Sequence, residues 1–147
     1  MQSRLKVWTL ALGLGLAAIG GTAWAQADII AARKDGLKRV GANMEAIKLV
    51  VDARGDVRTL GPRVDEIVTF FSDFPTRFPA GSGTGETRAL PAIWTDRAGF
   101  DRAAANALTA AHTLRTTVNA GDAAATAQAF QALGGACGAC HRPFRGR

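Results

Sequence analysis

The chain has 147 residues, a formal charge of +6 and two cysteines, a size that suits one domain with one core. Its eighteen Lys and Arg residues are spread along the sequence without a basic cluster interleaved with aromatic residues, so a nucleic-acid partner has no support. Alanine is abundant and tyrosine is absent, and the long alanine-rich stretches favour helix.

The first 25 residues have the features of a cleaved secretory signal. Two basic residues precede an apolar stretch over 7–19, and Ala23-Trp24-Ala25 forms a small-x-small cleavage site. The apolar stretch is short for a membrane span, so an uncleaved anchor is the weaker alternative. We therefore expect export to the periplasm, with residues 1–25 removed and residues 26–147 forming the domain.

Four helical segments are predicted in this domain. The first covers Asp28–Asp52 and the second covers Asp56–Asp73, with Pro62 in the first turns of the second. Apolar residues recur at steps of three and four along both segments: Leu37, Val40, Met44, Ile47 and Val51 in the first, and Val64, Ile67, Val68 and Phe71 in the second. An irregular loop rich in glycine and proline follows over Phe74–Leu90.

The third helix is predicted to begin near Pro91, a residue suited to a first helical position, and to run to Ala120. Gly121 is predicted to end it, and Asp122 is the predicted N-cap of the fourth helix. Consecutive helices joined by short connections are antiparallel neighbours. The expected fold is therefore an all-α, antiparallel up-down four-helix bundle.

The two cysteines, Cys137 and Cys140, are followed directly by His141 in the c-type haem attachment pattern. Two thiols three residues apart on one helical face can each add to a haem vinyl group, and the adjacent histidine reaches the iron. Nearby glycines are expected to leave room for the porphyrin edge: Gly134, Gly135 and Gly138. We therefore predict one covalent haem c near the C-terminus, which would also fill a core poor in large side chains.

Three other uses of the cysteines compete with haem. A thioredoxin-like redox pair needs a βαβ setting that the predicted helices do not provide. A disulfide between Cys137 and Cys140 would close a very small loop and stabilise little. A zinc site needs four ligands, and the domain offers only these cysteines with His112 and His141. Export together with the complete motif favours haem.

The sequence resembles the cytochromes c′, the class II c-type cytochromes, over nearly all of Asp28–Arg145. The C-terminal position of the haem motif carries much of the resemblance, because most c-type cytochromes have it near the N-terminus. The other matching motifs are Arg33-Lys-Asp-Gly-Leu37, Gly41, Met44-Glu-Ala-Ile47, Phe78-Pro79-Ala-Gly81, Pro91-Ala-Ile-Trp94, Phe100, and Phe144-Arg145.

The resemblance implies how the iron is held. His141 would be the only protein ligand on one face, and Leu37, four residues after Arg33, would cover the other face with an apolar side chain. Low-spin relatives have a methionine at the position of Leu37. A five-coordinate, high-spin iron is therefore implied here, with Met44 packed in the core or against the haem.

Other residues would surround the haem in a protein of this family. Arg33 would pair with a haem propionate or lie on a solvated face. Trp94 would pack on the haem edge or in the core, and Phe144 and Arg145 would lie beside His141.

Two residues depart from the family pattern, and one histidine has no place in it. Pro143 is expected to end or kink the fourth helix at the haem. Gly36 is expected to loosen the wall that carries Leu37. His112 lies off the apolar stripe of its helix and is expected at the surface.

The implied function is a periplasmic haem protein that binds diatomic ligands, nitric oxide and carbon monoxide, and can cycle between ferric and ferrous iron. The alternative is a six-coordinate, low-spin class II cytochrome that acts purely as an electron carrier. An enzyme such as a peroxidase is not expected, because Leu37 supplies no acid–base group. The expected partners are the diatomic ligands, a periplasmic redox partner, and a second copy in a homodimer.

The intact mass of the exported protein tests the signal and the attachment together. The polypeptide should begin at Gln26, and haem should stay with it under denaturing conditions because the thioethers are covalent. Cys137→Ser combined with Cys140→Ser should abolish this retention. A mass that includes residues 1–25, or free haem extracted by acid and organic solvent, would contradict the prediction.

Overall fold

A computed structural model describes residues 18–147, with side chains from Gln26 onward. The predicted signal sequence, residues 1–25, lies outside the residues whose side chains are described, so its cleavage stays a prediction. The helices are α1 (Ala18–Asp52), α2 (Gly61–Ser72), α3 (Ala92–Thr95), α4 (Arg97–Ala120) and α5 (Ala123–Phe144), with 3₁₀ turns at Val57–Leu60 and Phe74–Arg77. Among the described residues, no helix has the length and apolarity that crossing a bilayer requires.

Four of these helices form a bundle, which confirms the predicted fold class. In space, α1 packs against α2, α2 against α4, α4 against α5, and α5 returns to α1. Each helix therefore lies beside its neighbours along the chain. The short connections between α1 and α2 and between α4 and α5 make those pairs antiparallel. The single turn α3 packs against α4 and α5.

The helix boundaries follow the capping residues. Gly121 has a φ of +72°, and the side chain of Asp122 accepts a hydrogen bond from the N–H of Ala125, so both predicted boundary residues are confirmed. The predicted third helix is wrong in one respect, because it is interrupted at Asp96 and forms two helices, α3 and α4. The Asp96 carboxylate accepts a hydrogen bond from the N–H of Gly99 at 3.0 Å and begins α4 as a new helix.

The start of the second helix also differs from the prediction. The α-helix α2 begins at Gly61, with Pro62 in its first turn, and not at Asp56. The Asp56 side chain instead accepts a hydrogen bond from the N–H of Arg58 and caps the 3₁₀ turn at Val57–Leu60. The predicted segment is therefore helical in two pieces of different pitch.

The expected end of the helix at the haem motif is wrong, because α5 continues through Pro143 and ends one residue later, at Phe144. The expected kink stays a prediction. A proline so close to the helix end removes only one backbone hydrogen bond, the one to the carbonyl of Ala139. The N–H of Arg145 still donates to the carbonyl of His141 at 3.0 Å. The last turn of α5 is therefore intact where the haem motif lies.

Aromatic rings fill the core at one end of the bundle. Neighbouring ring centroids lie 4.9 to 5.8 Å apart, and most pairs are tilted or edge-on. Each such pair contributes about 0.5–1.5 kcal/mol beyond the burial of its surface. The rings belong to Phe70, Phe71, Phe74, Phe78, Phe100 and Phe144.

One glycine allows a close approach between α1 and α2. A Cβ atom at Gly36 would overlap a ring carbon of Phe70, and Gly36 is buried within an uninterrupted helix. The expected loosening of the helix at this position is therefore not observed. Gly36 is needed for tight packing rather than for flexibility.

Replacing Gly36 with alanine tests this packing. Gly36→Ala should lower the free energy of unfolding by about 1–3 kcal/mol, because the buried Phe70 ring must move. Gly134→Ala is the matched control, because its Cβ would meet nothing within 4 Å. It should raise the free energy of unfolding by about 0.5–1 kcal/mol. Guanidinium denaturation measures both, and equal effects of the two substitutions would contradict the packing role.

Candidate haem-binding site

A cavity of about 940 Å³ opens between α1, α4, α5 and the segment 71–89. This volume lies in the range of pockets that hold cofactors. It is the space that the alanine-rich stripe of the third helix was expected to leave. The apolar part of its lining consists of Leu37, Val40, Met44, Phe71, Phe74, Phe78, Ala89, Ile93, Phe100, Ala104, Ala107 and Phe144.

The helix α5 presents the haem motif to this cavity. Cys137, Cys140 and His141 all line it, as does Phe144, because steps of three and four place residues on one helical face. Both thiols are half-buried and form no disulfide. Among the described residues, no group of three or more His, Cys, Asp and Glu side chains comes together to hold a metal.

The glycines of α5 do not take the place that was expected for them. The prediction that they leave room for the porphyrin edge is wrong, because none of them lines the cavity. Gly134 and Gly135 are exposed and lie about one turn before the cysteine motif in α5. Gly138 lies on a helical face next to the one that carries Cys137 and Cys140.

The local electrostatics of the motif favour metal binding over thiol redox chemistry. Burial raises the pKa of Cys137, and burial together with the Cys137 charge raises the pKa of Cys140. Reactive redox thiols need a lowered pKa. Burial, and then the positive charge of Arg145, lower the pKa of His141, so its imidazole is neutral at neutral pH, the form that coordinates a metal.

Arg33 is the largest fully buried side chain of the domain, only 2% exposed. Its Nη1 donates to Ser82 Oγ at 3.0 Å, and its Nη2 donates to the Ser82 carbonyl at 2.8 Å and to Thr87 Oγ1 at 2.7 Å. Its guanidinium carbon lies 4.6 Å from the centre of the Phe78 ring. The solvated-face alternative for Arg33 is therefore wrong.

The Arg33 charge has no carboxylate partner in the described part of the chain, although the residue lines the cavity. Burial lowers the pKa of Arg33, but a guanidinium stays protonated in proteins. A buried cation that is held by neutral groups suits an anion placed in the cavity. A haem propionate is such an anion.

The wall that α1 gives to the cavity is apolar near its centre. Leu37, Val40 and Met44 line it, and Leu37 and Met44 lie two helical turns apart on one face. Phe144 and Arg145 also line the cavity, on the α5 side with His141. The structure therefore brings eight of the nine predicted haem-site residues together at the cavity, all except Trp94.

Trp94 is a predicted site residue that the structure places elsewhere. It does not line the cavity, although Ile93 of the same turn α3 does. Its Nε1 donates to the Pro79 carbonyl at 3.0 Å, and its ring packs against Phe78. Trp94 therefore holds the loop in place. His112 is exposed, with Nδ1 3.0 Å from the Arg115 guanidinium, as expected.

Sequence reasoning assigned no role to the loop at 85–89, which lines the cavity. It also missed the exposed cations Lys34, Lys38 and Arg88, which line the cavity with Arg33. The spacing of Lys34 and Lys38, four residues apart and beside Arg33, was the available signal. The contribution of Arg88 depends on how the loop folds back and had no local signal.

The sequence profile of the Cytochrome C′ family matches residues 28–145, nearly the whole described domain. The chain belongs to the cytochrome c′ family. It is 34% identical over 148 residues to cytochrome c′ of Rhodopseudomonas palustris, covering 98% of both chains. It is 32% identical over 147 residues to cytochrome c-556 of Agrobacterium fabrum, covering 99% of this chain and 98% of the relative.

The fold agrees with a solved member of the cytochrome c′ family. The crystal structure of cytochrome c′ from Rubrivivax gelatinosus superposes with a TM-score of 0.76 and 27% identity. The match covers 82% of this chain and 96% of that chain.

The family binds one covalent haem c, and this chain has the two cysteines of the attachment motif near its C-terminus. The protein therefore carries one haem c. The residues present fit the group, because an apolar cavity with two thiols, a neutral imidazole and a buried cation matches the chemistry of a porphyrin with propionates.

Arg33 should stabilise the domain by tying the loop to α1. Arg33→Met should lower the free energy of unfolding of the holoprotein by about 2 kcal/mol or more, because charged donors to Ser82 and Thr87 are lost. Arg39 is the matched control on the same helix, with an exposed ion pair to Glu66 at 3.4 Å. Arg39→Met should cost less than about 1 kcal/mol. Similar losses in the two variants would contradict a special role for Arg33.

Proposed function

We propose that this protein is a periplasmic cytochrome c′ whose only protein ligand to the haem iron is His141. We further propose that it binds diatomic ligands, chiefly nitric oxide and carbon monoxide, and cycles between the ferric and ferrous states. The observation that carries the proposal is the composition of the cavity wall. His141 is the only histidine among the lining residues, and Leu37 lies on the α1 wall.

Each wall of the cavity has a distinct effect on ligand binding. When bound, haem c supplies an iron that changes oxidation state and accepts a small ligand at an open position. Leu37 excludes water from the α1 side and must move aside before a ligand enters. The apolar wall offers no hydrogen-bond donor there, which disfavours ligands such as oxygen that gain from a polar partner.

The same wall argues against catalysis of the peroxidase type. Such chemistry needs a positioned acid–base group beside the iron. Glu86 is the only carboxylate among the lining residues, and it lies exposed on the loop rather than on α1. We therefore propose a role in ligand binding and electron exchange without an enzymatic reaction.

Two further parts of the proposal concern location and assembly. The signal-like residues 1–25 support export, and haem attachment requires the oxidising compartment. Leu49 on α1 is a large hydrophobic side chain that is 70% exposed. An exposed side chain of this kind on α1 is consistent with a homodimer that uses the first two helices.

A second candidate function follows from Met44, which also lines the cavity. A thioether is a known axial ligand in cytochromes. If Met44 bound the iron, the protein would be a six-coordinate, low-spin electron carrier. Met44 lies two turns from Leu37 on α1, so Leu37 and Met44 define two competing arrangements of the same wall.

Substitution of Leu37 tests the proposed open face. The ferrous spectrum should be high-spin, and Leu37→Ala should speed carbon monoxide association by about tenfold, a barrier lower by about 1.4 kcal/mol. The cause is the loss of three carbon atoms that block the entry. Leu49→Ala is the matched control, an exposed leucine on the same helix, and should leave the rate unchanged. Absorption spectroscopy and flash photolysis give the measurements.

The results also separate the two candidate functions. Leu37→Met should supply a thioether and shift the spectrum toward low spin. A low-spin unmodified protein that becomes high-spin with Met44→Leu would overturn the open-face proposal and establish the electron carrier. Unchanged carbon monoxide kinetics in Leu37→Ala would show that another side chain covers the iron.

A further inference from the structure

The cations of the domain differ in their surroundings. Five lie away from the cavity and are paired with carboxylates on the surface: Arg39 with Glu66, Lys48 with Asp52, Arg77 with Asp73, Arg97 with Asp101, and Arg115 with Asp65. Six others away from the cavity form no ion pair within residues 26–147: Arg54, Arg58, Arg63, Arg102, Arg142 and Arg147. Four exposed cations line the cavity together, and none of them forms an ion pair within the same residues.

We call these four residues the cationic rim: Lys34, Lys38, Arg88 and Arg145. Lys34 and Lys38 lie one turn apart on α1, Arg88 comes from the loop, and Arg145 follows α5. Three separate segments therefore place positive charge around one opening.

Little negative charge offsets the cationic rim. Glu86 is the only carboxylate that lines the cavity, and Lys34 Nζ donates to its backbone carbonyl at 3.1 Å rather than to its carboxylate. Asp35 is on α1 but does not line the cavity. With Arg33, five cations and one carboxylate line the opening. The two propionates of a haem would neutralise only part of that surplus.

We propose that the cationic rim is the docking surface for an acidic electron-transfer protein. The proposal rests on the redox cycling stated under Proposed function. Unpaired charges around a cavity steer a partner of opposite charge and raise its association rate. Redox encounters use small, weak interfaces of this kind. Docking here would bring the partner to the cavity that holds the haem.

The electron balance of the encounter is simple. One electron passes from the reduced centre of the acidic partner to the ferric iron. The partner is oxidised by one electron, the iron is reduced to the ferrous state, and no covalent bond forms or breaks.

An anionic membrane is the other class of surface that a cationic patch can meet, and the structure favours a protein. Binding in a membrane interface needs apolar side chains beside the charges. The only large hydrophobic residue that is exposed within the described domain is Leu49. It lies eleven residues beyond Lys38, about 16 Å along α1.

The test compares two reductants of the holoprotein that differ in charge. Reduced plant-type ferredoxin is the acidic protein donor, and reduced lumiflavin is the neutral small donor. The measured quantity is the ratio of their second-order rate constants, obtained by rapid kinetics at an ionic strength of about 10 mM, where charges act over about 30 Å. A substitution that changes the haem itself alters both rate constants, and its effect therefore cancels in the ratio.

Two charge-reversal variants carry the comparison. The rim variant combines Lys38→Glu with Arg88→Glu. The native side chains of Lys38 and Arg88 make no hydrogen bond or ion pair within the described domain. The control variant combines Arg54→Glu with Arg58→Glu, which are exposed, do not line the cavity, and change the net charge equally.

The ratio of rate constants should fall by about tenfold or more in the rim variant and by less than about threefold in the control variant. The difference should disappear in about 0.5 M salt, because exposed charges are then screened. These results would support a docking surface at the cationic rim.

Three outcomes would overturn the proposal in different ways. An equal fall in both variants would mean that only net charge matters. An unchanged ratio in the rim variant, with loss of its binding to vesicles of phosphatidylglycerol and phosphatidylcholine, would assign the rim to a membrane. A haem that neither donor reduces would contradict the redox cycling itself, and the docking proposal would fall with it.

Discussion

The bundle is organised around a space that its own side chains do not fill. The helix α4 faces the centre with Ala104 and Ala107, and the cavity beside them is lined by α1, α5 and the loop. Close packing is the rule in protein interiors, and an unfilled cavity of this size removes many favourable contacts. A covalent haem c supplies the missing volume, and so the packing of three helices depends on the attachment at Cys137 and Cys140.

The lining of the cavity combines cationic and apolar side chains, and Arg33 is the buried cation among them. Its buried guanidinium holds the loop through Ser82 and Thr87, which positions the neighbouring loop residues at the opening. Exposed cations also line the opening, whereas Leu37 and Met44 keep the centre apolar. The cationic side chains suit propionates and a charged partner, and the apolar side chains suit small uncharged ligands at the iron.

Particular residues show how far sequence reasoning reached. The haem motif, the caps at Gly121 and Asp122 and the apolar stripe of α1 were predicted because each is a local pattern with one physical cause. The break at Asp96 was missed, because an N-cap inside a long helical pattern competes with continued helix and tertiary packing decides the result. The effect of Pro143 was overestimated, because a proline near a helix end removes only one hydrogen bond.

The sequence by itself determined the class of the fold, the cofactor and its attachment, because helical periodicity and the spacing of two cysteines and a histidine are local properties. Only the tertiary structure decided that Arg33 is buried without a carboxylate, that Gly36 admits the Phe70 ring, and that Arg88 of the loop joins Lys34 and Lys38 of α1 at one opening. These contacts join residues far apart in the chain. Their existence depends on the path of the loop and the approach of the helices, which no local pattern encodes.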